Sequence, residues 1–76
     1  MADTPIPADL LAAQRAFDEA TATLLAAPKE LPVEERQALR DAELDAMRHL
    51  REVRAGTEWD TVNGQKALRA AAGAEA

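Results

Sequence analysis

Residues 10–28 read LLAAQRAFDEATATLLAAP. Leu10, Ala13, Phe17, Ala20, Leu24 and Ala27 recur at spacings of three and four, which puts them on one helical face. The face alternates in size: Leu10, Phe17 and Leu24 lie seven apart, with Ala13, Ala20 and Ala27 between them. Small residues at alternate positions let a second backbone come close, so the pattern predicts a tight helix pair with Ala20 enclosed in the seam. On the N-terminal side, Ile6 precedes a proline and is biased against helix, whereas Pro7 suits a first helical position. Asp9 then complements the helix dipole, and Pro28 stops the run. The first helix is expected over 7–27.

Beyond it, Pro28-Lys29-Glu30-Leu31-Pro32 is a short connector with two prolines and no glycine. So short a link returns the chain alongside itself, predicting an antiparallel helical hairpin. Pro32 opens the second helix and Glu34 and Glu35 occupy its first turn. Leu39, Ala42, Ala46, Leu50 and Val53 form its core stripe. Arg54 and Gly56 mark its end, giving an expected helix over 32–55. Thr57-Glu58-Trp59-Asp60 has the Thr-x-x-acid capping pattern, so a shorter third helix starts at Glu58, or at Gln65 if Asn63-Gly64 interrupts it. That helix is expected to fold back across the hairpin. The fold class is all-α, one domain over 1–76 with 1–6 and 73–76 as flexible ends. Two hairpins pairing into a four-helix bundle would make a dimer.

At about 100° per residue the second helix has three sectors. Besides the core stripe, Glu34, Asp41, Asp45 and Glu52 form an acidic strip, while Arg40, Leu44, Met47, Arg48, Arg51 and Arg54 share a third side. Leu44 and Met47 framed by arginines have two readings. They pack under the third helix against Trp59 or Leu68, or they form a protein interface, where Arg and Met are enriched. Trp59, the one Trp in the chain, either closes the core or anchors that interface. The candidate partner interface is therefore Arg40, Leu44, Met47, Arg48, Arg51, Arg54 and Trp59.

Composition narrows the function classes. Acids outnumber bases 14 to 9 in 76 residues, and the net charge of −5 opposes nucleic-acid binding. There is no Cys, which excludes disulfides and thiolate metal sites, and no serine, which excludes a serine nucleophile. His49 is the single histidine and shares a helix face with Asp45, a spacing that reads as a stabilising pair. The three glycines, 56, 64 and 73, are scattered and form no phosphate-binding loop. No catalytic residue, metal or cofactor is expected. Met1-Ala-Asp-Thr-Pro lacks the basic and apolar regions of a signal peptide, and no apolar run reaches membrane-spanning length, so the chain reads as cytoplasmic with no membrane partner. Abundant Ala and Arg with little Lys suggests a GC-rich bacterial or phage genome.

Leaving out Ala and Met1, sixteen sizeable apolar side chains must hold 76 residues without a disulfide. Chains of this size sit near energetic balance, which favours association. The reading is a non-enzymatic protein-interaction module that pairs with itself or acts as an adaptor. One alternative is a small acidic inhibitor of the antitoxin, immunity or phage anti-defence kind, attracted to a basic partner by charge. A second is a transcription-related DNA-binding accessory protein using the Arg40–Arg54 side, although no helix-turn-helix pattern accompanies it.

Overall fold

The computed structural model describes residues 5–74. It contains three helices, α1 (Ala8–Ala26), α2 (Val33–Arg54) and α3 (Val62–Ala74), with no strand among the described residues. Both leading prolines stand just outside their helices. Pro7 (ψ 142) and Pro32 (ψ 149) keep extended backbones and serve as N-caps. The Pro7 carbonyl accepts from the amides of Leu10 and Leu11, and the Pro32 carbonyl accepts from Arg36. The first two helices are thus one residue shorter at either end than the sequence pattern suggests.

α2 ends in a tight turn. The amide of Thr57 donates to the Arg54 carbonyl at 3.0 Å. Gly56 sits at φ +77 after an extended Ala55, the signature of a type II turn that requires glycine at its third position. Thr57, the expected helix cap, belongs to this turn: its hydroxyl donates to the Arg54 carbonyl at 2.6 Å. The cap of α3 is Thr61, whose hydroxyl accepts from the Gly64 amide at 3.0 Å. The helix then runs straight through Asn63-Gly64. Gly64 allows the first turn of α3 to press on the backbone of the preceding turn, where an added Cβ would meet the Glu58 carbonyl oxygen at 2.6 Å. Thr61→Ala removes the cap and is expected to destabilise the fold by about 1 kcal/mol, readable as a shift in thermal midpoint. A midpoint equal to wild type would show that Thr61 does not hold α3 in place.

The core lies at one end of the molecule. Leu10, Ala13, Leu50, Trp59 and Leu68 form one buried cluster, with Ile6, Leu11, Phe17 and Val53 packed around it. Leu68 is fully buried and Trp59 is 9% exposed, so Trp59 closes the core. Ile6 joins that packing rather than belonging to a loose N-terminus. Gly73 and Ala74 are helical, while 1–4 and 75–76 of the expected flexible ends lie outside the described residues. From Arg15 to His49 no residue is buried. The radius of gyration is 14.1 Å, against about 11 Å for a compact chain of this length.

Two packing expectations need correction. α3 packs on α1, not across the face of α2. Leu44 therefore stays 42% exposed instead of lying under the third helix. The packed side of α2 is also turned by roughly 40° from the expected stripe, taking 100° per residue. Arg36, Glu43, Met47 and Arg54 are drawn inward, while Ala42 is left exposed. Polar partners explain the turn. Thr21 of α1 donates to Glu43 at 2.8 Å, Arg36 donates to the Pro28 carbonyl at 2.7 Å, and Arg54 pairs with Asp60 at 3.2 Å. Side chains that find hydrogen-bond partners pack inward as readily as leucines do.

Candidate functional site: an arginine-lined cavity and an open groove

The proposed interface residues divide into three groups. Trp59 is buried in the core and presents little free surface. Met47, Arg51 and Arg54 line a cavity of 320 Å³ between the three helices. Arg40, Leu44 and Arg48 remain on the outer surface of α2. Arg48 pairs with Asp45 at 3.8 Å, both side chains being largely exposed. Such a surface pair contributes little. Asp45 thus reaches Arg48, not His49 as the sequence spacing suggested; His49 is exposed.

The cavity is amphipathic. Phe17 of α1 with Met47 and Leu50 of α2 supply its apolar lining. Gln14, Gln65, Arg51, Arg54 and Arg69 complete the lining, and no acidic residue is among the lining residues. Gln14 is buried, and its amide nitrogen donates to Asp18 at 2.9 Å. The Nε of Arg54 is engaged by Asp60. Arg51 and Arg69 make no side-chain hydrogen bond or ion pair among the described residues. Sequence reading reached Arg51 and Arg54 but missed Gln14, Gln65 and Arg69. The i,i+4 spacing of Gln65 and Arg69 on α3 was visible, but nothing in the pattern tied α3 to this side of α2.

A second depression, of 270 Å³, lies between α1 and α2 where no residue is buried. Ala16, Glu19, Ala20 and Thr23 of α1 and Leu39 and Ala42 of α2 line it. Ala20 is only half-buried there, so the expected tight seam is an open groove. Leu25 near the end of α1 and Val33 at the start of α2 are 82% and 81% exposed. Among the described residues, no helix is long and apolar enough to cross a membrane.

Comparison with protein-family models, with curated proteins and with solved structures yields no match.

Proposed function

We propose that the chain is a non-enzymatic interaction module that pairs with a second copy of itself through its hairpin. Several contacts support an antiparallel α1–α2 hairpin. Pro28 meets Arg36 and Thr21 meets Glu43, while Gln14 and Phe17 share a cavity with Met47 and Leu50. The observation that carries self-pairing is the absence of any buried residue between Arg15 and His49. That stretch keeps a groove between α1 and α2 open and leaves Leu25, Val33 and Leu44 exposed. Leu44 lies on the opposite side of α2 from Leu39 and Ala42, so a second hairpin laid along the Leu44 side would cover Leu44 and its flanking arginines in a four-helix arrangement. The occupant is a like copy because α2 carries its Arg40–Leu44–Arg48 surface beside the acidic strip of Asp41, Asp45 and Glu52. A two-fold operation can set the basic edge of one copy against the acidic edge of the other.

Light scattering at high micromolar concentration should return twice the monomer mass of 8.2 kDa. Leu44→Asp places a charge on this surface, and Ala42→Glu places one on the opposite side of α2 as a control. Both positions are exposed, so monomer stability should hold within about 0.5 kcal/mol. Association should weaken by about 2 kcal/mol or more in Leu44→Asp and stay unchanged in Ala42→Glu. A wild-type chain that stays monomeric, or a Leu44→Asp variant that pairs as well as wild type, would defeat the proposal.

A further inference from the structure

The three-helix cavity lies apart from the open groove, and its composition calls for a different occupant. Three arginines line it although the chain carries a net charge of −5. One of the three is paired, to Asp60, and the other two are unpaired among the described residues. Like charges gathered over an apolar surface repel one another, and an anion seated between them removes that repulsion. The guanidinium fork matches a planar carboxylate through two parallel hydrogen bonds. The lining also fits the rest of such a molecule. Phe17, Met47 and Leu50 offer an apolar bed, and Gln14 and Gln65 place amides beside it. The volume of 320 Å³ falls at the lower end of the range usual for small-molecule sites, about 300–1,000 Å³.

We infer that this cavity is a binding site for a small organic carboxylate with an apolar body, the carboxylate held by Arg51 and Arg69 and the body resting on Phe17, Met47 and Leu50. Arg51 comes from α2 and Arg69 from α3, whose helix packs on α1, so the bound carboxylate ties together two helices that otherwise meet through α1. The site does not depend on self-pairing, since Leu44 and the groove residues do not line it.

Octanoate is a suitable probe, with octanol and inorganic phosphate as the two halves of its chemistry. In an NMR titration of the full chain, octanoate should produce saturable shifts of the Met47 methyl and of the Gln14 and Gln65 side-chain amides. Octanol and phosphate should each bind at least about tenfold more weakly. The double variant Arg51→Gln/Arg69→Gln alters two exposed side chains and should keep its helical signal and melting midpoint. It should lose about tenfold or more of its octanoate affinity. The Leu44→Asp variant should bind octanoate as wild type does, whether or not the chain pairs. Four results would each overturn the assignment. They are no saturable shift with octanoate, equal binding by the double variant, phosphate binding as tightly as octanoate, and loss of octanoate binding in Leu44→Asp.

Discussion

Trp59→Ala is expected to destabilise the fold by about 3–5 kcal/mol. Chains of this length hold about 4–11 kcal/mol in all, so the variant should be largely unfolded or close to it. The size of the effect follows from where the indole sits. It is 9% exposed and packs in the cluster of Leu10, Ala13, Leu50 and Leu68, the only buried apolar cluster among the described residues. The backbone around it is also fixed from both sides. The Trp59 amide donates to the Thr57 hydroxyl at 3.3 Å, and the Asp60 amide donates to the Thr57 carbonyl at 3.2 Å. A turn held this firmly collapses little into the space the indole leaves, and poor collapse is what raises the cost of a cavity. Urea titration followed by far-UV circular dichroism measures the loss, and Trp59→Phe should recover part of it. The wild-type indole should emit at short wavelength. Emission like that of free tryptophan in water, or an unchanged urea midpoint in Trp59→Ala, would contradict the packing described.

Gly64→Ala should also destabilise, with a sign opposite to the usual one. Within an ordinary helix, replacing glycine by alanine gains up to about 1 kcal/mol. At Gly64 the new Cβ would lie 2.6 Å from the Glu58 carbonyl oxygen and 2.8 Å from the Trp59 carbonyl carbon. Those are backbone atoms in a hydrogen-bonded turn, and no flexible side chain can move aside. The first turn of α3 would have to back away, loosening the Thr61 cap and the seating of Trp59 together. Overpacking of this kind costs about 1–3 kcal/mol. Gly73 is the control, because a Cβ added there would meet nothing within 4 Å and its φ is ordinary. Gly73→Ala should therefore leave stability unchanged or raise it by up to about 1 kcal/mol. Thermal melts of the two variants should move in opposite directions, and parallel shifts would show that the close approach at Gly64 is not structural.

Helix positions were legible to within a residue for α1 and α2 because spacing and proline punctuation act locally. The third helix was harder. Thr57 and Thr61 both precede reasonable starts, and Thr57 has the better sequence pattern with Asp60 three residues on. What decides for Thr61 is the type II turn at Gly56 and the close approach at Gly64, both of which depend on where the chain has already gone. The face of α2 shows a similar limit. Apolar spacing selects Leu39, Ala42, Ala46, Leu50 and Val53, but it is blind to Glu43 meeting Thr21 or Arg54 meeting Asp60. Those pairings turn the helix, expose Ala42 and bring Met47 toward Phe17. Arg51 and Arg54 stood out in sequence as members of a basic side. Their convergence with Arg69 required knowing that α3 packs on α1.

One helix here belongs to two regimes of stability. Near Leu50, opening α2 means exposing a core. Near Leu39, it means giving up backbone hydrogen bonds and a half-covered surface, with no buried side chain to expose. Local opening draws on whichever cost is smaller, so the Pro28–Pro32 end of α1 and α2 can fray and re-form while the Trp59 end stays intact. The molecule is in this sense a firm base carrying a soft arm. Anything that binds the arm only in its ordered form will stiffen it in proportion to the logarithm of its concentration over its dissociation constant, and that stiffening will stop short of the base, which has little left to gain.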